Sequence, residues 1–297
     1  MLTNTPRYNA ARRTPSREGS HFLIPVSIAT GLNIFSGYME TLAEIQHFFK
    51  KGHLAYRPNL TIDCAIFGYH DGELQLLLVK NKIITKWCLP GGFVRKDESL
   101  DQAATRITAE RTGIDNLFLK QFKAFGDPGR NDPRGAFEPE KLFELVQVRL
   151  EEDSWLTGET VSVGYYAITD IVNTIPNADF LSSECAWFTV DDLPSLGFDH
   201  DEIVRDALFA MRMHLYHFPI GKNFLQQKFT LKEIKRFYEV MSGKQLNASN
   251  FPNKLISLGL IVKLDEKRSI GAHRSPAYYK FNEEVYDKAL MEGLVLA

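Results

Sequence analysis

Apolar positions from Leu60 onward come in runs of strand character: LTIDCAIFGYH, the pair Asp71-Gly72, then ELQLLLVKN. Aliphatic and β-branched residues on either side of an Asp-Gly pair predict a β-hairpin. Three further strands are expected over 117 to 126 (LFLKQFKAFG), 161 to 169 (VSVGYYAIT) and 184 to 190 (ECAWFTV) from their β-branched and aromatic content. Elsewhere the period changes to that of a helix. Residues 40 to 51, ETLAEIQHFFKK, predict a short amphipathic helix. Asp191-Asp192-Leu193-Pro194 reads as a turn, and 199 to about 217 as a helix with apolar Ile203, Leu208, Phe209, Met211 and Leu215. Nineteen residues span about 28 Å at 1.5 Å each, enough for a linker that holds two domains apart and offers a dimer surface. Together these elements predict a mixed sheet flanked by helices.

Between the first hairpin and the next strand lies Trp87 to Ile114, WCLPGGFVRKDESLDQAATRITAERTGI. Leu89-Pro90-Gly91-Gly92 supplies a stiff turn, and Glu98 opens an amphipathic run ending at Gly113. Arg106 and Glu110 stand one turn apart, at pairing distance. The stretch resembles the signature box of the Nudix family, whose pattern is Gly, five residues, Glu, seven residues, then Arg-Glu-apolar-any-Glu-Glu-any-Gly-apolar. Gly92, Glu98, Arg106, Glu110, Gly113 and Ile114 match, whereas Ile107, Thr108 and Arg111 stand where the family has Glu, an apolar residue and Glu.

The resemblance implies an α/β/α sandwich with a mixed sheet, and a helical face that in hydrolases of the family holds divalent cations. Positions 107, 110 and 111 share that face, being three and four residues apart. Magnesium needs hard oxygen ligands. Ile107 supplies none, and a unit charge such as that of Arg111 about 4 Å from a dication meets repulsion on the order of 8 kcal/mol at an effective dielectric near 20. The box therefore reads as a retained scaffold whose metal site is dismantled. Residues 127 to 158 form an insertion of roughly 30 residues beginning Asp127-Pro128-Gly129-Arg130, where the family has a short loop beside the ligand. A part in the pocket and a surface decoration are both open for it.

Beyond residue 221 the pattern changes again. Thr230 is an expected N-cap with Glu233 at the capping-box position, followed by a stripe of Leu231, Ile234, Phe237, Tyr238 and Met241, broken by Gly243. Asn247 is expected to cap a second helix closed by Gly259, with Pro252 tolerable only in its first turn. IVKLDE (261 to 266) and AYYKFN (277 to 282) alternate as a hairpin with a basic tip. Helix, turn, helix and hairpin resemble a winged helix. In DNA-binding versions the second helix enters the major groove, which makes Ser249, Asn250, Asn253 and Lys254 candidate groove residues and Lys267, Arg268, His273 and Arg274 candidate wing contacts.

Charge changes this picture in one respect. The net charge of −2 over 297 residues predicts no general affinity for polyanions, yet residues 221 to 297 carry thirteen basic against eight acidic side chains. The C-terminal quarter is the basic part of an acidic protein. Cys64, Cys88 and Cys185 are scattered among apolar neighbours, which fits buried small hydrophobes in a reduced, cytoplasmic compartment. The N-terminal stretch combines Arg7, Arg12, Arg13 and Arg17 with an interrupted apolar segment too short for a membrane span. A disordered leader is expected there, with Met39 as an alternative start.

The expected organisation is thus a leader (1–39), a Nudix-like sensor (40–198), a linker helix (199–220) and a winged helix-turn-helix domain (221–297). A damaged box followed by a winged helix looks like the Nudix-related transcriptional regulators of the NrtR and AraR type. That resemblance implies a homodimer on palindromic operator DNA, with a small-molecule effector, ADP-ribose or a sugar such as arabinose, and no membrane partner. The lost carboxylates lean toward the sugar and toward binding without cofactor or catalytic residue. Lys80, Arg95, Arg106, Glu110 and Arg130 are candidate ligand residues, although a structural Arg106–Glu110 pair is the stronger reading of those two. The rival is a hydrolase of a nucleoside-diphosphate compound, its Mg2+ held by Glu98, Glu110 and an insertion carboxylate such as Glu138 or Glu140. A protein-interaction adaptor is a third.

Overall fold

The computed structural model describes residues 41–115, 117–130, 138–151, 154–171, 182–215, 221–222, 224–268 and 275–292. The leader, Met39, His273 and Arg274 lie outside the described residues. The expected hairpin is formed by β1 (Tyr56–His70) and β2 (Glu73–Asn81), paired from Phe67↔Leu76 to His70↔Glu73. Asp71 and Gly72 take φ of 50° and 83°, the two positive values a two-residue turn between twisted strands requires. β3 (Trp87–Cys88), β4 (Gly91–Arg95), β5 (Lys120–Phe125), β6 (Val161–Asp170) and β7 (Ser182–Thr189) complete a seven-stranded sheet. Its order is β3-β2-β1-β6-β5, with β4 paired to β1 and β7 to β2. β1 and β6 run parallel from Leu60↔Val161 to Tyr69↔Asp170 while the other pairs are antiparallel, so the sheet is mixed as expected.

Alternation along β1 assigns its side chains to two faces. Ile62, Cys64 and Ile66 pack with Ala103, Ala104 and Ile107 of α2 (Leu100–Thr112). Ala65 and Phe67 pack with Ile203, Val204, Ala207 and Met211 of α4 (His200–Leu215) on the opposite side. A third small core joins Ile45 and Phe49 of α1 (Leu42–Lys51) to Leu142 and Val146 of α3 (Pro139–Val146), the helix inside the insertion. α4 is therefore no free spacer. Its buried stripe includes Val204 and Ala207, small side chains that let it lie close to the sheet, while Phe209, expected in that stripe, is 68% exposed.

The C-terminal part contains α5 (Leu231–Ser242), α6 (Asn250–Ser257), β8 (Ile261–Lys267), β9 (Ala277–Phe281) and α7 (Glu283–Glu292). Both bonds of the Thr230/Glu233 capping box form. The Asn247 side chain accepts from the backbone N–H groups of Ser249 and Asn250 at 3.0 and 2.9 Å, entering α6 through a side-chain turn. Pro252 is the third residue of α6, where its missing N–H breaks no helical bond. Phe229 and Tyr279 exchange backbone bonds of 2.9 and 2.7 Å, adding a bridge beside the β8–β9 wing. Among the described residues no helix is long and apolar enough to cross a membrane.

One hydrophobic cluster runs from the sheet through α4 into this part, taking in Phe229, Ile234, Phe237, Tyr238, Met241 and Leu255. Tyr69, at the end of β1, meets Phe237 edge-on with ring centres 5.0 Å apart, and Arg236 donates to the Gly72 carbonyl at 3.1 Å. Removing the Phe237 ring should cost about 3–5 kcal/mol. In urea, Phe237→Ala is expected to lower the midpoint seen by tryptophan fluorescence together with that seen by circular dichroism, because Trp87, Trp155 and Trp187 all precede α4. Separate midpoints would mean that the two parts unfold independently.

Candidate functional site

Ser99 and Gln102 close a capping box at the start of α2, and Gly113 ends the helix at φ 69°. Within this frame Arg106 ties loop to helix. Its Nε and Nη2 donate to the two Glu98 oxygens at 2.9 and 2.6 Å, its Nη1 to Glu110 at 2.8 Å, and Nη2 also to the Phe93 carbonyl at 2.9 Å. Arg95 adds its backbone N–H to Glu98 at 2.7 Å and its guanidinium to Glu110 at 3.2 Å. Burial alone would raise the Glu98 pKa, but the bonds from Arg106 and the Arg95 N–H hold it below its usual value. At Glu110 burial prevails over the same two arginines, and its carboxyl is pushed up.

The residues present do not fit a magnesium ion. Glu98 and Glu110 turn their oxygens to guanidinium groups, and Ile107 is buried among Ile62, Cys64 and Ala103. Glu138 pairs with Lys141 at 2.8 Å and Glu140 with Arg149 at 3.5 Å, so the four carboxylates of the hydrolase reading are engaged elsewhere. Among the described residues no group of three or more His, Cys, Asp and Glu side chains is arranged to hold a metal ion. Arg111, in the position of the second missing carboxylate, donates from Nε to the Gly91 carbonyl at 3.0 Å.

Arg111 also lines a cavity of about 620 Å³, a size typical of small-molecule sites. The insertion forms part of its wall through Leu142, Arg149, Leu150 and Leu156, and α1 contributes Phe48 and Phe49. The described residues of this segment therefore lie against the cavity, not only on the outer surface. Trp155 stands behind the wall, with ring centres 5.1 Å from Phe48 and 4.7 Å from Phe93 and its indole N–H donating to the Phe49 carbonyl. Aromatic packing of this kind gives the wall a defined shape.

Opposite in character is a polar group of the lining made of Asp63, Arg130, Thr160 and His200. Arg130 is 5% exposed at its side chain and grips both Asp199 oxygens at 2.8 Å, while its Nη1 donates to Thr160 Oγ1 at 3.1 Å. Asp63 accepts from the Ser162 hydroxyl and lies 3.7 Å from Arg130 and 3.5 Å from His200 Nε2. The Leu89 N–H donates to His200 Nδ1 at 2.9 Å, which leaves the ring hydrogen on Nε2, toward Asp63. A Cβ on Gly91 would stand 2.2 Å from Asp63 Oδ1, so only glycine lets the box backbone approach so closely. Asp199 and His200 lie at the start of α4, joining the cavity to that helix.

Of the five expected ligand residues, Arg130 lines the cavity. Arg95, Arg106 and Glu110 belong to the knot just described, and Lys80 donates to the Thr85 carbonyl with its ammonium 5.8 Å from the Trp87 ring centre. Asp63, Arg111, Arg149 and His200 were not among the expected residues. Asp63 had a signal, a lone charge inside the apolar run LTIDCAIFG. At the other end of the molecule Ser249, Asn250 and Asn253 are exposed on and before α6, and Lys254 is half-buried. Lys267 and Arg268 are exposed at the end of β8, where Arg268 pairs with Glu233 at 2.5 Å. Among the three cysteines, Cys64 and Cys88 are buried and burial pushes both thiols up to about 12.

Residues 59–207 match the NUDIX domain model, and residues 221–281 match the NrtR DNA-binding winged helix domain. The chain is 28% identical over 237 residues to the ADPR responsive transcriptional repressor NtrR of Acinetobacter baylyi, covering 77% of its own length and 84% of that protein. It is 26% identical over 180 residues to the ADP-ribose pyrophosphatase of Methanocaldococcus jannaschii, covering 60% of its length and 89% of that enzyme. Shewanella oneidensis NrtR, solved in complex with a 27mer DNA, superposes with a TM-score of 0.55 at 25% identity, over 77% of this chain and 95% of that one.

Two outcomes test the box. Ile107→Glu is expected to cost about 3–5 kcal/mol, because the introduced carboxylate would be buried among apolar side chains. Its urea midpoint should fall further at pH 8 than at pH 5, where protonation removes the buried charge; an unchanged midpoint would contradict the packing. Glu98, with a depressed folded pKa, contributes stability that is full above its unfolded value and is lost as pH falls through the folded one. Denaturant titrations of Glu98→Gln should therefore show a shallower loss of stability below the usual carboxylate range than the parent.

Proposed function

The chain belongs to the Nudix family, and from that premise we propose that it is an ADP-ribose-responsive transcriptional repressor. The C-terminal winged helix holds operator DNA and the Nudix cavity senses the metabolite. The observation that carries this reading is the path of α4, whose first residue lines the cavity and whose Met211 and Leu215 share a core with α5. A ligand that favours one placement of α4 changes DNA affinity by its differential affinity for the two states, and by no more. The name of the Acinetobacter relative and the DNA complex of the Shewanella one support the two halves of the proposal.

A bare pentose such as arabinose has weaker support. The cavity of about 620 Å³ has room for a ligand larger than a pentose, with an aromatic and aliphatic wall beside its polar groups. The hydrolase reading loses support because its four carboxylates are held by basic side chains. Two copies reading a palindrome, in the cytoplasm, complete the proposal; α6 would enter the major groove with Ser249, Asn250, Asn253 and Lys254, and the wing would bring Lys267, Arg268, His273 and Arg274 to the backbone.

A mobility-shift titration against the upstream DNA of its own gene tests the reading. Binding should resist unrelated competitor DNA, weaken steeply with salt, and respond to ADP-ribose but not to arabinose. Asn253→Ala is expected to cost about 1–3 kcal/mol on the specific site alone, whereas Lys254→Ala should weaken all sequences and reduce the salt slope by about 1. Absence of a specific shift at either salt concentration would sink the proposal.

A further inference from the structure

Two polar side chains of the cavity lining, Asp63 and His200, come from different elements and face each other across a gap. Asp63 belongs to β1, where it pairs with Gly91 of β4 on one side and Gly164 of β6 on the other. Its Oδ2 accepts from the Ser162 hydroxyl and is the oxygen nearest Arg130, at 3.7 Å. The carboxylate is thereby fixed in the sheet. His200 opens α4, and its Nδ1 accepts from the Leu89 N–H at 2.9 Å, which leaves the ring hydrogen on Nε2.

Nε2 stands 3.5 Å from Asp63 Oδ1, beyond the roughly 3.2 Å limit of an ordinary N–H···O bond. Both ends are tethered, so neither side chain can swing to close the distance. The two side chains are only 9% and 7% exposed, and what exposure they keep is toward the cavity. A donor and an acceptor side by side match a hydroxyl, which donates and accepts through one oxygen. An oxygen about 2.8 Å from each would make both bonds. Gly91 keeps the space beside Oδ1 free of a side chain, since a Cβ there would stand 2.2 Å from that oxygen.

We propose that Asp63 and His200 form a hydroxyl-binding subsite, in which a sugar hydroxyl of the ligand donates to Asp63 Oδ1 and accepts from His200 Nε2. The inference rests on the ADP-ribose reading above and specifies the atoms that hold one of its ribose hydroxyls. The bound oxygen bridges β1 to the first residue of α4, which makes it the contact through which the ligand favours one seat of that helix.

Calorimetric titration of the full chain with ADP-ribose, and with analogues that each lack one ribose hydroxyl, tests the subsite. One analogue should bind about tenfold to a hundredfold more weakly than ADP-ribose, the range for a bond to a charged group. Its identity tells whether the adenosine ribose or the terminal ribose enters. His200→Asn keeps an oxygen for the Leu89 N–H but removes the Nε2 donor, and Asp63→Asn keeps the shape of the carboxylate without its charge. Each variant should lose a similar factor with ADP-ribose and little further with that one analogue, because the two deletions remove the same bond. A purely structural role would weaken every ligand by the same factor. That pattern, or parent-like affinity in the variants, overturns the subsite while leaving the effector intact. Variants on two separate elements keep the test decisive if one of them fails to fold. A parent chain that binds no ADP-ribose overturns the effector assignment, and this inference with it.

Discussion

The Arg106 guanidinium is the interaction on which the box depends. It is bound at once by Glu98 from the loop, Glu110 from one turn further along α2 and the Phe93 carbonyl from β4. Half-buried charges are costly unless paired and fully hydrogen-bonded, and here each carboxylate is answered by more than one donor. The knot keeps loop, helix and strand in register, so the shape of the box persists although its donors for a cation do not. Gly91 and Gly92 then stay close to Asp63 and Ile107, and the cavity keeps its floor.

From that floor, continuity of structure leads to the winged helix. Arg130 draws Asp199 and the first turn of α4 against the cavity, and the apolar stripe of α4 carries the contact along the sheet to α5. The tip of the first hairpin gives a second connection through Tyr69 and Gly72 to Phe237 and Arg236. Interiors packed at this density do not deform smoothly, so a change in the seat of α4 would be passed on as a shift of the whole helix.

What was legible in the chain beforehand follows a physical boundary. Features set by neighbours in sequence could be read directly: the Asp71-Gly72 turn, the Thr230/Glu233 capping box, the position of Pro252, and the absence of carboxylates at 107 and 111. Features set by approach in space could not. Arg149 and Leu142 meet the cavity only because α3 folds back against α1, and nothing in their local pattern marks that return. Lys80 and Arg95 stand near the box in sequence, yet their side chains turn to Trp87, Glu110 and Tyr56. The stripe of α4 was misassigned at Phe209 because close packing on a sheet selects small Ala207, which a search for large apolar residues passes over.

The apolar seam between Tyr69, α4 and α5 has a bearing on how such a chain can change over generations. Phe237, Tyr238 and Met241 are buried within the core shared with the sheet. Grafting this winged helix onto another sensor would strip Tyr69 from the Phe237 ring, and the uncovered apolar surface would favour aggregation over a working hybrid. Shuffling of ready-made modules is thereby penalised, and new pairings of sensor and reader must arise by paired substitutions across the seam.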